Sequence, residues 1–552
     1  LFMFFKRKNI PLKIWYGFLV LLEMFIALET QTRGAMIALG IGGMIFVLYL
    51  LFFYYNKKVL KIIGVLIILA SVCGISSIYI FKNSDFIRNQ PVLSRIASIS
   101  LKDGSTNNRL VTWGIAWQGF KKRPILGYGQ ENFYEVFDKY YTTKNTESWF
   151  DRSHNMIGDR AITGGIIGLI SYLAVLLVPF YFLWKFHKNS DKKDDNCSIE
   201  KTPEVKEWAR KYFVPIIFSI LILAYIIQNM FIFEALVTYV PLMMVLCFVG
   251  MYGPNFDWKF LRDEKFKAVC FWVGIVLLVP MIYFFNLYPV SANADFIKAL
   301  ALPDLSFQQR INAFENVIAR GTYGNQEYRR HYFDFFQSSL SGWISNAESR
   351  KQIPQSDMIK FANTMEGQLQ DQITENNHNT SNYLMLMRFY DMAYVFDPSR
   401  LNKAIEAFNS AKELSPGRPQ IYYELAQTYF YLGNYYIMQK QDDLAEDAFR
   451  KSLDVFYFGA QLNYYQATEL TDMTGYLSWA KNNEAYAKVI SKDGISDKKI
   501  EEITADMISW LPLAPAEQKD SLTSSLKDIV KYFSEADKGN KVLKAQLDSL
   551  NK

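Results

Sequence analysis

The residues most able to do chemistry are one histidine and two arginines, His154, Arg109 and Arg33. His154 lies in the motif FDRSHN, just before an apolar run. A neutral imidazole can accept a proton from a hydroxyl group near neutral pH, which is the role of a general base. Asp151 or Asp159 could orient its ring. A histidine at this place could also cap a helix or pack at an interface, and the residues alone leave this open.

Arg109 is expected in the first turn of an amphipathic helix over residues 107–120. The apolar residues that recur at helical spacing are Leu110, Trp113, Ala116, Trp117 and Phe120. The candidate N-cap residues are Ser105, Thr106 and Asn107. A guanidinium group beside free backbone N–H groups can bind phosphate oxygens through two parallel hydrogen bonds. The alternative is an arginine that only reaches lipid headgroups.

Arg33 follows Thr32 in the short turn QTRG between two apolar runs. It could hold a diphosphate or could only anchor a helical hairpin, whose packing Gly34 and Ala35 would allow. Further along, RPILGYG is predicted to be a turn because Pro124 ends the helix and two glycines follow. The basic residues before it, Lys121, Lys122 and Arg123, could recruit anions or form a solvated patch.

Other catalytic sites are not indicated by the sequence. The glycine spacing lacks the third glycine of a dinucleotide-binding motif, and neither a Walker loop nor a G-x-S-x-G motif is present. One histidine in the polar stretch cannot form a metal cluster of the usual type. The net charge of +6 comes mainly from short loops, and no basic stripe predicts nucleic-acid binding.

The elements that must position these residues are apolar helices. A membrane-spanning helix needs roughly 20 apolar residues. Seven runs qualify: 13–30, 34–54, 60–81, 162–184, 213–233, 235–252 and 268–287. The chain has 552 residues, so we expect more than one domain. We predict a transmembrane catalytic domain over 1–290 with an outer loop at 83–161, and a soluble helical domain over 291–552.

The orientation of the spans follows from the basic residues in short loops. If the spans alternate, one side carries four basic segments: 6–13, 57–61, 185–211 and 259–267. That side is predicted to be cytoplasmic, which places the 83–161 loop and the C-terminal half outside. The outer parts contain no cysteine, because Cys73, Cys247 and Cys270 lie in spans and Cys197 lies in a cytoplasmic loop. A disulfide framework is therefore not expected there.

The C-terminal half carries spacing typical of tetratricopeptide repeats. The residues at the repeat positions are Ala404, Phe408, Ala411, Pro416, Tyr422, Leu425, Ala426, Tyr429, Ala445, Phe449 and Ser452. The second pair of helices should be elongated. Helices over 307–345 and 380–396 should flank the array, and the tail 517–552 should be a charged helix or helix pair. Such an array could bind a partner protein or glycan, or could be only a folded cap.

These motifs together resemble the O-antigen ligase and O-antigen polymerase superfamily. The resemblance rests on TRGA at a helical hairpin, on Arg109 and Trp113 in a helix followed by RPILGYGQENF, and on DRSHN before a membrane helix. It covers roughly residues 25 to 250. The resemblance implies an all-α protein with a polytopic membrane bundle, and some members carry C-terminal tetratricopeptide repeats. Members usually have more than seven spans, so N-terminal helices are expected to be missing.

The resemblance also implies an activity. It is inverting glycosyl transfer from an undecaprenyl-diphosphate glycan to an acceptor hydroxyl group at the outer face of the bacterial cytoplasmic membrane. Arg33 and Arg109 would bind the diphosphate, and His154 would be the general base. The implied supporting residues are Asp151, Arg160 and Arg123. Neither a metal ion nor another cofactor is expected.

The acceptor and the partners are left open by the sequence. The acceptor could be a lipid, the growing glycan or a protein, which correspond to a ligase, a polymerase and a protein O-oligosaccharyltransferase of cell-envelope polysaccharide biosynthesis. Membrane lipids surround the site, and a protein could bind the tetratricopeptide domain. The alternative from a different class is a non-catalytic scaffold or lipid-linked glycan carrier that uses the same basic residues for binding.

Overall fold

The computed structural model describes residues 9–30, 32–49, 51–52, 58–98, 104–189, 214–251, 263–302, 305–490, 496–536 and 540–551. The described residues are all-α, as predicted. The chain divides into two compact units. The membrane unit comprises Leu1–Phe137 and Asn145–Phe256, and the helical unit comprises Asp138–Lys144 and Asp257–Lys552. Cys197 and most of the predicted basic loop residues, within 1–8, 190–213 and 252–262, lie outside the described residues.

The membrane unit consists of long apolar helices and several shorter ones. They are α1 (Ile10–Glu29), α2 (Arg33–Tyr49), α3 (Lys58–Ile80), α4 (Asp85–Asn89), α5 (Pro91–Ala97), α6 (Gly104–Lys122), α7 (Phe133–Lys139), α8 (Met156–Asn189), α9 (Val214–Asn229) and α10 (Leu236–Gly250). The last two residues of α7 belong to the helical unit. α8 is interrupted at Gly165, whose φ and ψ are not helical.

Each of the seven predicted apolar runs coincides with an apolar helix. Three helices are long and apolar enough to cross a membrane by length and composition: Ile10–Glu29, Met156–Lys185 and Glu264–Ala301. Four are shorter among the described residues: Arg33–Tyr49, Gly64–Ile80, Pro215–Asn229 and Leu236–Gly250. Many of their large apolar side chains are exposed, which suits contact with lipid. The seven-span topology and its orientation stay predictions.

Glycines bring α2 close to α9. A Cβ atom added at Gly34 would lie 3.3 Å from the carbonyl oxygen of Gln228, and one added at Gly42 would lie 3.1 Å from the Ile220 side chain. Small residues at such positions let helix backbones approach closely. Gly34 therefore packs closely on α9 and the residues that follow it, whereas the sequence predicted close packing within the hairpin of the first two spans.

Helix α6 differs from its prediction in two respects. It begins at Gly104, so Ser105, Thr106 and Asn107 lie inside its first turns and are not N-caps. Arg109 is therefore the sixth residue of the helix, beyond the first turn in which it was expected. Of the predicted apolar stripe, Leu110 and Trp117 are exposed and Ala116 is buried. The buried face is Asn108, Thr112, Ile115, Ala116 and Gly119. Hydrogen bonds to residues 145–147 allow the two polar side chains to be buried, a long-range effect that helical periodicity does not reveal.

The helical unit begins with a long apolar helix and continues as an array of helices. Its helices are α11 (Glu264–Ile282) and α12 (Tyr288–Ala301), joined by a π-helical turn at Tyr283–Leu287, then α13 (Phe307–Ile318), α14 (Asn325–Ser345), α15 (Ala347–Gln352), α16 (Gln355–Glu375), α17 (Thr380–Ala393), α18 (Arg400–Leu414), α19 (Pro419–Met438), α20 (Asp442–Gln461), α21 (Gln466–Lys481), α22 (Glu484–Ile490), α23 (Ser496–Trp510), α24 (Ala516–Ala536) and α25 (Lys541–Leu550). The division between the units falls at Phe256 and Asp257, whereas the sequence placed it at 290.

Most of the repeat positions are buried in paired helices, as their spacing predicts, whereas Pro416 is exposed in the turn after α18 and Tyr429 is half-buried. The small residues Ala404, Ala426 and Ala445 are fully buried between neighbouring helices. Phe449 fills the space above Gly433, where an added Cβ atom would lie 2.4 Å from its ring. The pair α19 and α20 is longer than the pair α17 and α18, which agrees with the expected elongation. The assignment to the tetratricopeptide family itself stays a prediction.

Candidate active site of the membrane unit

His154 is held in an uncommon backbone conformation between two aromatic rings. Its φ is +55°, a region that few residues other than glycine adopt, although histidine, asparagine and aspartate adopt it more often than most. Its ring meets Phe150 and Phe233 edge to face, with centroid distances of 5.0 and 5.5 Å. Such a conformation persists only where the surrounding structure enforces it, and it is enriched at functional sites.

The hydrogen bond of the His154 ring determines which nitrogen can act as a base. Nδ1 lies 3.1 Å from the carbonyl oxygen of Arg152. A carbonyl oxygen only accepts hydrogen bonds, so Nδ1 is assigned as the protonated nitrogen of the neutral ring. The lone pair of Nε2 is then the one that can accept a proton. The group that orients the ring is thus a backbone carbonyl, which the sequence did not indicate.

The residues around His154 fix the start of α8. Asn155 is the helix cap, because its Oδ1 atom accepts hydrogen bonds from the N–H groups of Ile157 and Gly158, at 2.9 and 3.1 Å. Asp159 accepts the N–H of Ser153 at 2.6 Å, so it acts on the backbone beside the histidine. The capping role considered for His154 therefore falls to its neighbour.

Helix α6, which carries Arg109, contacts the segment that carries His154. One turn further along α6, the indole N–H of Trp113 donates to the carbonyl oxygen of Ser153, the residue before His154, at 3.1 Å. Side chains four residues apart on a helix lie on the same face. Asn108, the residue before Arg109, accepts a hydrogen bond from the N–H of Thr146 at 3.0 Å. The helix that carries Arg109 is thus attached to the segment that carries His154.

The start of α2, which carries Arg33, contacts the loop between α9 and α10, residues 230–235. Gly34 packs on Gln228, near the end of α9, and on Phe231 in this loop. In the same loop, Met230 accepts a hydrogen bond from the Asn155 side chain at 3.2 Å, and Phe233 packs on His154. The Arg33 guanidinium donates to Ser98 Oγ at 3.3 Å. The α9–α10 loop therefore links the start of α2, which carries Arg33, to the start of α8, which follows His154.

The three supporting residues named from the resemblance have different surroundings. Asp151 is exposed and lines a narrow cleft. Arg160 lines the same cleft and forms an ion pair with Glu234. Arg123 lies over the ring of Tyr128, 4.3 Å from its centroid. Arg160 is thus the one of the three with a buried carboxylate partner.

Glu234 is the residue of this region that sequence reasoning missed. It accepts hydrogen bonds from the hydroxyl groups of Tyr172, Tyr225 and Tyr239 and from the guanidinium group of Arg160. These donors lie on α8, α9 and α10, so one carboxylate connects three helices. A signal was present, because Glu234 is the lone acid in the short break between two apolar runs, and an isolated ionisable residue in such surroundings usually has a role.

The charge of Glu234 is stabilised by its donors. Burial alone raises the pKa of its carboxyl group, but the four hydrogen bonds outweigh this and hold the pKa below the ordinary glutamate value. The Glu234 side chain is only 4% exposed, and that of Arg160 is 23% exposed. Removal of Arg160 would leave a buried carboxylate without its charge partner, and removal of Glu234 would leave a half-buried guanidinium group without one.

We expect Glu234→Ala to lower the unfolding free energy by about 3–5 kcal/mol, because Arg160 and three hydroxyl groups lose their shared acceptor. Thermal or denaturant unfolding in detergent measures this. The folded-state pKa is depressed, so the stabilisation is present at neutral pH and is lost as the pH falls through that value. Glu234→Gln should remove this acid-dependent part.

Asp151→Ala is the matched control for that experiment, since it removes an exposed carboxylate from the same cleft. Its effect should stay within about 0.5 kcal/mol. Equal effects of the two alanine variants would mean that Glu234 does not connect the helices energetically.

The cleft at the start of α8 is lined by charged and polar side chains. They are Gln130, Glu131, Asp151, Arg152, Asp159, Arg160, Thr163 and Glu234, with Phe133 and Met156. Arg152 forms an ion pair with Glu131 and lies 5.5 Å from the ring of Phe233. Four carboxylates face two guanidinium groups, so the lining is acidic overall. Within the described ranges, no group of three or more His, Cys, Asp or Glu side chains is arranged to hold a metal ion.

The turn RPILGYG is attached to the start of α8 by backbone contacts. Tyr128 and Gly129 donate their N–H groups to the carbonyl oxygens of Ile162 and Thr163, at 2.8 and 3.0 Å. Gly127 and Gly165 both have positive φ, +70° and +59°. A Cβ atom at Gly127 would lie 2.7 Å from the nitrogen of Gly165. The predicted tight turn is therefore present, and it packs on the helix that follows His154.

A comparison with protein families decides what this region is similar to. Residues 16–173 match the family model described as O-antigen ligase. The match confirms the resemblance to the O-antigen ligase superfamily, and it ends within α8, whereas the sequence motifs extended it to about residue 250. All the predicted site residues lie inside it, and Glu234 does not. The tetratricopeptide part is not included.

The O-antigen ligase family is a family of bacterial membrane proteins, and the match implies glycosyl transfer of the O-antigen ligase type in general. The three helices long enough to cross a membrane agree with membrane insertion. Searches of curated proteins and of solved structures gave no match.

Proposed function

We propose that this O-antigen ligase-type protein transfers a glycan from a polyprenyl-diphosphate carrier to an acceptor hydroxyl group at the outer face of the cytoplasmic membrane. The observation that carries the proposal is the hydrogen bond from Nδ1 of His154 to the Arg152 carbonyl oxygen. It leaves the Nε2 lone pair for a proton, in a segment that matches the O-antigen ligase family.

The proposed reaction is a single displacement at the anomeric carbon of the donor. His154 Nε2 takes the proton of the acceptor hydroxyl group as its oxygen attacks that carbon. The bond between the anomeric carbon and the diphosphate oxygen breaks, and the electron pair leaves with the diphosphate. Attack from the opposite side inverts the configuration. The products are the glycosylated acceptor and the free polyprenyl diphosphate.

Arg33 and Arg109 are proposed to bind the diphosphate and to stabilise the negative charge that grows on it. Fixed cationic groups aimed at developing charge are among the strongest contributions to catalysis. Two contacts support this role. Helix α2, which carries Arg33, packs on the α9–α10 loop, and helix α6, which carries Arg109, donates a hydrogen bond to Ser153. The diphosphate is a good leaving group by itself, so the proposal requires neither a metal ion nor a nucleotide sugar.

The acidic cleft is proposed to be on the acceptor side of the reaction. Its carboxylates would repel a diphosphate but can accept hydrogen bonds from sugar hydroxyl groups. Asp151 is exposed there, and Asp159 is held by the Ser153 N–H at 2.6 Å. A lipid-linked sugar, the end of a growing glycan, or a serine or threonine of a protein would each supply the attacking hydroxyl group.

The test is reconstitution in liposomes with a defined undecaprenyl-diphosphate glycan. Lipid, glycan and protein acceptors are offered separately, and both the labelled acceptor and the released undecaprenyl diphosphate are measured. We expect stoichiometric appearance of the two products with one acceptor class. Tight donor binding without any product would instead support the alternative, a glycan carrier or scaffold that lacks transferase activity.

A further inference from the structure

Seven residues of the outer loop, Asp138–Lys144, belong to the helical unit. This assignment rests on a fully buried ion pair. Arg418 donates to Asp138 Oδ1 at 2.6 Å, and their side chains are 0% and 2% exposed. The second carboxylate oxygen of Asp138 accepts the N–H of Thr380, the first residue of α17, at 3.1 Å. A helix N-terminus favours such an anion.

The rest of this segment is held by polar contacts along one edge of the array. Lys139 donates to the carbonyl oxygen of Glu413 at 3.2 Å. Thr143 donates to the carbonyl oxygen of Leu462 at 2.8 Å and accepts the N–H of Tyr464 at 2.6 Å. These partners lie at the start of α17, the end of α18 and the end of α20. In antiparallel helix pairs such ends lie side by side, so the segment follows a single edge.

The buried ion pair is expensive and therefore suggests a role in register. Burial raises the pKa of the Asp138 carboxyl in spite of the adjacent guanidinium group, and it lowers the pKa of Arg418. Both shifts oppose the charged forms. An apolar pair of similar size is often as stable as a buried ion pair, whereas a charge pair can fix one register.

The residues on either side of the segment support the candidate active site. In the membrane unit, Phe137 packs on Phe150 with a centroid distance of 5.4 Å, and Phe150 packs on His154 at 5.0 Å. After the segment, Asn145 donates to Thr112 at 2.9 Å on the helix that carries Arg109. A change in the conformation of this loop would thus affect His154, the proposed proton acceptor, and the helix that carries Arg109.

We propose that the helical unit positions the catalytic loop by holding Asp138–Lys144 as an internal ligand, with Asp138 and Arg418 as positioning residues for His154. This inference rests on the proposed function for its kinetic part. It gives the C-terminal array a role in catalysis that requires no external partner. The array does not touch substrate in this role, because it acts through the loop.

The test compares Arg418→Met with Arg400→Met in the full-length protein. Arg400 is a matched control, because it is also buried and forms an ion pair, with Glu366 at 3.0 Å, in the same array. Its hydrogen bonds go to α16 and to the end of α17. Hydrogen exchange by mass spectrometry reads out residues 138–155. Arg418→Met should speed exchange there at least about tenfold, whereas Arg400→Met should not.

The kinetic readout separates positioning from general destabilisation. Arg418→Met should lower kcat for glycan transfer at least about tenfold relative to Arg400→Met at matched melting temperature, since fewer molecules hold His154 in place. Thr143→Val is a milder change that should also speed hydrogen exchange in residues 138–155. It replaces Arg418→Met in the test if that variant does not fold. Equal exchange and equal kcat in the two arginine variants would overturn the inference. If the parent protein transfers no glycan but the exchange difference persists, the proposed function fails and the positioning contact stands.

Discussion

Replacement of His154 by asparagine should abolish most glycan transfer while donor binding survives. Asparagine, like histidine, adopts positive φ more readily than most residues do, so the backbone should remain in place. What is lost is the proton acceptor, which contributes about 10²- to 10⁴-fold to the rate in such reactions. We therefore expect kcat to fall by that factor, measured by product formation, with little change in the donor dissociation constant.

His154→Ala adds a second effect, because alanine is disfavoured at positive φ and no longer packs between Phe150 and Phe233. A larger loss of kcat in His154→Ala than in His154→Asn would measure this additional contribution of backbone and packing. His331→Ala is the control, since this histidine lies in the helical unit and pairs with Glu327 and Asp334. Transfer at the parent rate by His154→Asn would refute the general-base assignment and would favour a carrier.

Loss of the Arg109 guanidinium group should weaken donor binding rather than the proton transfer. Charge-assisted hydrogen bonds contribute about 1.5–3 kcal/mol each, which corresponds to roughly ten- to hundredfold in the dissociation constant. We expect Arg109→Ala to show this loss in a binding measurement with the lipid diphosphate. Arg109→Lys should recover only part of it, because an ammonium group cannot form two parallel hydrogen bonds with phosphate.

The double variant with Arg33→Ala tests whether both arginines hold one ligand. If they bind the same diphosphate, their free-energy losses should not add, and the coupling should exceed about 0.5 kcal/mol. Arg88→Ala is a suitable control, because Arg88 is exposed in the same outer loop and its side chain contacts Asn83. An equal loss of donor affinity in Arg88→Ala would indicate a general effect of positive charge. Full donor affinity in Arg109→Ala would exclude a role of Arg109 in diphosphate binding.

Local sequence patterns predicted the parts of the fold that depend on local chemistry. The seven apolar runs are helices because their composition suits a helix in lipid, and the buried alanines of the array follow from their spacing. The motif around His154 was recognised, and so was the glycine turn that follows Arg123. These features need only a few neighbouring residues to be read.

The features that were not predicted depend on contacts far apart in sequence. Asp138 and Arg418 are separated by 280 positions, and neither has a local pattern that announces a partner. The buried face of α6 is set by Asn108 and Thr112, whose partners lie 33 to 39 residues away. Glu234 has its donors on three helices. Polar residues can be buried only when such distant partners exist, and a single sequence does not reveal them.

The interlocked glycines at 127 and 165 have a consequence for protein engineering. Because the two backbones touch where no side chain fits, the turn after α6 and the first part of α8 form one sterically inseparable unit, although residues 130–155 of the chain lie between them. A chimaera that exchanges the loop 83–161 between homologues should therefore cut beyond Ile166, not at the border of the apolar run. A cut made earlier would combine two surfaces that were never fitted to each other.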